Sequence, residues 1–259
     1  MPRFKSIFLI SKNYIARILA VLFCNIVICN IGYSQQNFFN VPSCEFTTKH
    51  KVFIQEQINV NQIFQSNFTL DYGIGKGFQV GVNVIGVDFY DTKKSFGFNK
   101  ESDKDIFSPL FMVNGQKSIE VNKYIQLGIG TNQGVAIDIS TDNTKYAQFD
   151  YLLSGTSFYK KKILAVYGVY YGNAAYFQNS GAVGFMAGID ADLYKNKLHF
   201  VGDWMSGTTP ASVAVLGFSY FVNPVFPISL GWQIPNVEQN ASALVLELTW
   251  NPSLRKDNE

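Results

Sequence analysis

The feature that most constrains this chain is an alternation of period two that runs through almost all of it after Gln35. Runs of roughly ten residues set apolar side chains against small or polar ones, and helical spacing is sustained nowhere in them. Asn67 to Ile74 shows the pattern plainly. Phe68, Leu70, Tyr72 and Ile74 fall on one face, and Asn67, Thr69, Asp71 and Gly73 fall on the other. Gly75, Lys76 and Gly77 then make a tight turn. The return strand sets Phe78, Val80, Val82 and Val84 against Gln79, Gly81 and Asn83.

The same unit recurs along the chain. Ile125, Leu127 and Ile129 oppose Gln126, Gly128 and Gly130. Phe149, Tyr151 and Leu153 oppose Gln148, Asp150 and Ser154. Val183, Phe185, Ala187 and Ile189 oppose Gly184, Gly188 and Asp190. Leu198, Phe200 and Trp204 oppose His199 and Asp203. Leu216, Phe218 and Tyr220 oppose Gly217 and Ser219. Phe226, Ile228, Leu230 and Trp232 oppose Ser229, Gly231 and Gln233. Leu244, Leu246, Leu248 and Trp250 oppose Glu247 and Thr249. Three runs leave their faces open. Val52 to Val60 puts Glu56 on the face of Ile54 and Ile58, which leaves a bulge or a different register open. Pro109 to Gln116 and Ile163 to Gly172 are apolar at both parities.

These runs add up to about twelve strands, an even number that returns both ends of a barrel to one side. The connections alternate in length. Gly75–Gly77, Ser118–Lys123, Lys160–Lys162, Tyr194–Lys197 and Asn223–Pro224 are short. Phe89–Ser108, Asn132–Lys145, Asn173–Gly181, Gly207–Ala211 and Pro235–Asn240 are mostly longer. Short periplasmic turns and longer external loops have this rhythm. The fold expected is all-β, a closed antiparallel transmembrane barrel. Strands within hydrocarbon need every peptide group paired internally, and only closure provides that. A soluble sandwich or lipocalin-like barrel also alternates, but its solvent face carries Lys, Glu and Thr. Here the polar rows hold Gly, Asn, Gln, Ser and Asp with almost no Lys or Arg. Aromatic residues reach 15% of the chain, an excess that interfacial girdles would absorb.

The first segment reads as a leader. Arg3, Lys5, Lys12 and Arg17 precede an apolar run from Ile18 to Ile31. Gly32 and Ser34 are then spaced as cleavage positions, so residues 1–34 are expected to be a signal peptide cut before Gln35. The rival is an uncleaved anchor, but the run is short and is interrupted by Asn25 and Asn30. Cys24 and Cys29 leave with the leader and lack a lipoprotein processing context. Cys44 remains alone, without an internal disulfide partner or the count for a cysteine zinc site. The expected organisation is a periplasmic segment over residues 35–50, the barrel over 51–251 and a tail over 252–259. A net charge of +2 argues against nucleic acid.

The last strand alternates through Leu244, Leu246 and Leu248 to Trp250, as does the terminal strand that barrel-assembly machinery reads. With the run of strands and the Gly32-Tyr33-Ser34-Gln35 junction, the mature chain resembles outer-membrane β-barrels of Bacteroidota. It is more loosely similar to porin-like barrels associated with aromatic-compound catabolism in Gram-negative bacteria. The aromatic usually ends such chains, whereas here Asn251 to Glu259 follow it. The resemblance implies an outer-membrane location, assembly by that machinery, and solute passage.

Chemistry-bearing motifs are few. Outer-membrane phospholipases use a Ser–His pair, and His199 is the one histidine within a strand run; His50 lies outside them. Gly73-x-Gly75-x-Gly77 sits in a hairpin with no helix after it, so it is no phosphate loop. Asp103 and Asp105 lie among Lys93, Lys94, Lys100 and Lys104 and read as a solvated charge run rather than a calcium site. No catalytic residue, metal or cofactor is expected. The polar rows instead suggest a lumen lined by Asn67, Asp71, Gln79, Asn83, Gln126, Gln148, Asp150, Asp190, His199, Asp203 and Glu247. Arg255 is the only arginine beyond the leader, so an acidic wall would favour cations or neutral polar solutes. The partners expected are the bilayer, the assembly machinery and small solutes. Phe89–Ser108, the longest loop, is the expected plug or gate. A membrane-embedded lipid hydrolase and a structural or adhesive barrel are the alternatives.

Overall fold

The computed structural model describes residues 37–61, 64–89, 109–138, 143–177, 181–238 and 240–254. The expected leader over residues 1–34, most of the 89–108 loop expected as a plug or gate, and Arg255 lie outside the described residues. Twelve antiparallel strands close into one barrel: β1 (Val52–Val60), β2 (Phe64–Gly75), β3 (Phe78–Phe89), β4 (Leu110–Glu120), β5 (Ile125–Asp138), β6 (Asn143–Phe158), β7 (Ile163–Gly172), β8 (Ala182–Tyr194), β9 (Leu198–Met205), β10 (Val213–Asn223), β11 (Phe226–Pro235) and β12 (Ala243–Trp250). Each strand pairs with its sequence neighbours. The seam joins β1 to β12 from Ile54↔Trp250 to Val60↔Leu244. With no edge left, every strand finds backbone partners on both sides.

The alternation read from the sequence sets the two faces. Phe78, Val80, Val82, Leu127, Ile129, Leu216, Phe218, Leu230 and Trp232 are exposed on the outside, while Asp71, Gln79, Asp190, His199, Asp203 and Glu247 are buried inside. Val183 and Phe185 are 78% and 66% exposed, far beyond what water would tolerate in a continuous belt. The β2–β3 turn needs Gly75 at φ 106° and Gly77 at φ 75°, with Lys76 between them at φ 53°, conformations that only glycine adopts without cost at the first two positions.

Four expectations change. The Asn132–Lys145 connection is mostly strand, because β5 continues to Asp138 and β6 starts at Asn143 in unbroken register. Glu56 causes neither bulge nor slip: β1 pairs continuously with β2 and β12, and Glu56 points outward, where Ser66 Oγ donates to its carboxylate. In β6 the faces are reversed. Ala147, Phe149, Tyr151, Leu153 and Gly155 point inward, and Gln148, Asp150 and Ser154 point outward. Finally, the segment expected as a periplasmic lead-in lies inside the barrel over residues 37–47, with Phe38, Phe39, Val41 and Cys44 buried in the core that β6–β10 line, while Thr48, Lys49 and His50 are exposed.

The last two changes have one cause. The inner wall is divided: β1–β4 present mainly carboxamides, and β6–β10 present Phe149, Leu153, Leu164, Val166, Tyr170, Met186, Val201, Met205, Val213 and Val215. An apolar interior exists because an apolar segment fills it. This explains why β7 is apolar on both parities: Leu164, Val166 and Tyr170 face the core, and Tyr167, Val169 and Tyr171 face outward.

Candidate functional site

The seated segment is fixed by matched shape and hydrogen bonds. Asp203 Oδ2 on β9 accepts the backbone N–H groups of Asn40 and of Val41, the latter at 2.9 Å. Gln116 Nε2 on β4 donates to the carbonyls of Ser43 and Glu45, both at 3.1 Å, while its Oε1 accepts from Tyr151 Oη at 2.8 Å. Thr47 N donates to Gln79 Oε1 at 2.8 Å, and Thr48 N donates to Ser253 Oγ at 2.9 Å. Ser253 belongs to the short 3-10 turn Pro252–Leu254 that follows β12. Phe38 lies over Gly188, where a Cβ would meet its ring at 2.5 Å; no larger residue fits at that position. Polar strand side chains thus satisfy the segment's backbone, which would otherwise be buried unpaired.

Burial pushes the Cys44 thiol up to about 12, and the neighbouring Glu45 adds to the rise. Glu45 is raised to about 7. Its enclosure is the main cause, Asp190 adds repulsion, and Lys161 counteracts it.

Above this floor a cavity of about 730 Å³ reaches the end of the barrel that carries the longer loops. Asn37, Asn40 and Val41 form its floor; Asn59, Gln65, Asn67, Asn83 and Asn114 stand along one wall; Phe149, Tyr151 and Tyr176 stand along the other. Tyr176 comes from α1 (Ala174–Phe177), a single helical turn after β7. Its ring stacks on Phe149 with centroids 4.7 Å apart. Among the described residues one acid, Asp71, lines the cavity, and it accepts from Asn114 Nδ2 at 2.8 Å and Gln79 Nε2 at 3.4 Å. No Lys or Arg side chain among the described residues lines it.

The expected lumen residues therefore divide. Asn67, Asp71, Gln79 and Asn83 line the cavity together. Gln126 shares the inward parity of Gly128 and Gly130 near the short-turn end and is no part of the cavity wall. Asp190, His199, Asp203 and Glu247 point inward but are sealed. His199 Nδ1 lies 2.6 Å from Asp190 Oδ1, the imidazole is covered by Phe221 at 4.7 Å, and its Nε2 lacks a partner among the described residues. Glu247 accepts from Thr249 Oγ1 at 3.3 Å and Ser229 Oγ at 3.4 Å. These acids cannot form an exposed electrostatic wall.

Gln148 and Asp150 are not in the lumen at all. They share the outer surface with Thr131 and Gln133. Asp150 Oδ1 accepts from Thr131 Oγ1 at 2.5 Å and Gln133 Nε2 at 3.0 Å, and its Oδ2 accepts from Gln148 Nε2 at 2.5 Å. Apolar outward neighbours, Ile129 and Val135 along β5 and Tyr146 and Leu152 along β6, bound this polar island. Three donors on one carboxylate reduce what that group would lose on leaving water.

Sequence reasoning missed the seated segment, the Gln116 clamp, Asn114 and the Tyr176 platform. A signal for the first was present: Phe38, Phe39 and Val41 make an apolar cluster in the segment ahead of the first strand, where a solvated lead-in would be polar.

The class defined here is a closed twelve-stranded antiparallel barrel with an apolar exterior and an internally seated N-terminal segment. No protein-family model and no curated protein matches the chain. Among solved structures, it is similar to the outer membrane protein Omp33 of Acinetobacter baumannii, at 11% identity and a TM-score of 0.42 over 80% of this chain and 100% of that one. LpxR from Salmonella typhimurium matches at 10% identity and 0.42, over 77% and 99% of the two chains. The outer membrane channel DcaP of Acinetobacter baumannii matches at 10% and 0.33, over 76% and 71%. Likeness at this level carries no activity across.

Proposed function

We propose that the protein is a porin-like barrel of a bacterial outer membrane. It takes small, neutral polar solutes into the amide-lined vestibule and passes them when the N-terminal segment yields. The single observation behind this is the cavity of about 730 Å³, polar along one wall and floored by a separate stretch of chain rather than by strand side chains alone. The exposed apolar belt supports the membrane setting, since only a closed sheet keeps its peptide groups paired in lipid. The bilayer, the assembly machinery and small solutes are the partners of this reading. Kinship with Bacteroidota barrels, or with barrels of aromatic-compound catabolism, belongs to it as well and rests on the strand pattern and the Gly32–Gln35 junction.

Selection of cations by an acidic wall loses its support, because Asp150 faces outward and Asp190, Asp203 and Glu247 are sealed. The hydrolase reading gains none: His199 is 1% exposed and faces inward, away from any lipid. The test is conductance in planar bilayers. The intact barrel should show low, intermittent conductance with little preference between potassium and chloride. Deletion of residues 37–47 should raise it several-fold. A deletion variant that folds, inserts and stays silent would refute the proposal and favour a structural or adhesive barrel.

A further inference from the structure

The vestibule's chemistry points further than its size, and we infer that it is a binding site for neutral saccharides, an inference that rests on reading the vestibule as the place where solute enters. Carboxamides donate and accept at the same end of one side chain, as hydroxyl groups do, so a wall of them is matched to a polyol rather than to an ion. Asn59, Gln65, Asn67, Asn83 and Asn114 form such a wall. On the floor, Asn40 Nδ2 is buried with no hydrogen-bond partner among the described residues, although the residue borders the cavity. A buried donor left unpaired is costly unless an acceptor occupies the space beside it.

Charge argues the same way. Among the described residues an anion would find no cationic side chain on the cavity wall, and a cation would find only Asp71, whose carboxylate is already held by Asn114 and Gln79. The opposite wall supplies what a sugar ring needs besides hydrogen bonds. Tyr176 borders the cavity with its ring backed by Phe149 at 4.7 Å between centroids, and Phe149 is stacked in turn on Tyr170 at 5.7 Å. A pyranose has axial C–H groups on one face and hydroxyls around its rim. It would place the face on the Tyr176 ring and the rim against the amides, the division of labour usual in small-molecule sites. A volume of about 730 Å³ takes a ring or two of that size.

The experiment uses the full folded barrel in detergent micelles, with maltotriose and cellotriose as probes and trilysine and triglutamate as charged controls. Calorimetric titration should show saccharide binding and none of either charged peptide. Tyr176→Ala, in the loop helix rather than the sheet, and Asn59→Leu should each weaken it by about ten-fold, the loss of one stacking contact or hydrogen bond. Retained heat-modifiability on electrophoresis shows that both variants still fold. The inference is overturned if no saccharide binds the intact barrel, if the charged peptides bind equally well, or if neither folded variant weakens binding. Conductance separates the two readings. Saccharide binding by a barrel silent in bilayers sustains this inference and overturns the channel. Conductance without saccharide binding sustains the channel and overturns this inference.

Discussion

Removing the Asp203 carboxylate should release the N-terminal segment while leaving the barrel closed. In the native chain this carboxylate accepts two backbone N–H groups, from Asn40 and Val41, in a fully enclosed position. Hydrogen bonds to a charged acceptor contribute about 1.5–3 kcal/mol each, and Asp203→Ala also leaves both N–H groups unpaired, so docking should lose about 3–4 kcal/mol in total. At 1.4 kcal/mol per decade, the undocked population rises by about 10²–10³-fold. Cys44 reports that population directly. It is fully buried, and with Cys24→Ser and Cys29→Ser it is the one thiol in the chain. A maleimide reagent reaches it only after the segment lifts, so the labelling rate follows the opening equilibrium when reclosure is fast. Asp203→Ala should therefore label faster by two orders of magnitude or more, with unchanged circular dichroism and heat-modifiability. A change of less than about three-fold in a folded variant would mean that the carboxylate does not hold the segment, and the latch would be wrong.

Three further outcomes are expected. Glu45 has its ordinary pKa near 4.5 in the undocked segment and about 7 when docked. Docking therefore takes up a proton in that window, is strongest below it and weakens as pH rises through 7; Cys44 labelling, corrected for thiolate formation with a small model thiol, should slow between pH 8 and pH 5, and Glu45→Gln should flatten that dependence. Gly188→Ala drives a methyl into Phe38 and should speed Cys44 labelling; Phe38→Leu in the same chain should restore part of the loss, and additive effects would disprove their contact. Leu152→Arg, on the outer belt, should destabilise the barrel in liposomes by about 2–4 kcal/mol in urea titration, whereas a change under 0.5 kcal/mol would show that this face does not meet hydrocarbon.

Much of the architecture is legible in single strands. Where one parity is apolar and the other small or polar, as in β2, β3, β8 and β12, the face follows from the letters alone. The rule assumes that the interior is wet, and β6 breaks it. Phe149, Tyr151 and Leu153 are the more apolar set, yet they face inward because Cys44 and its neighbours fill that half of the lumen. No periodicity within β6 records what will sit opposite it, since that information lies about a hundred residues upstream. The same distance hid the site. Asn67, Asp71, Gln79 and Asn83 were readable from one hairpin, but the aromatic wall needs β6 and α1 to be brought across the barrel. Asp203 was legible as inward-facing, while its role in holding amides of residues 40 and 41 was not.

The segment that fills the barrel stands before β1, yet its resting place is built from strands at the other end of the sequence. Phe38 needs Gly188 on β8, the amides of residues 40 and 41 need Asp203 on β9, and Phe39 lies against Gly231 on β11. A chain emerging from its N-terminus exposes these sticky residues first and can bury them only when most of the hairpins exist. Lodging of the segment is then the final act of maturation, a checkpoint that a barrel cut short at β8 could never pass.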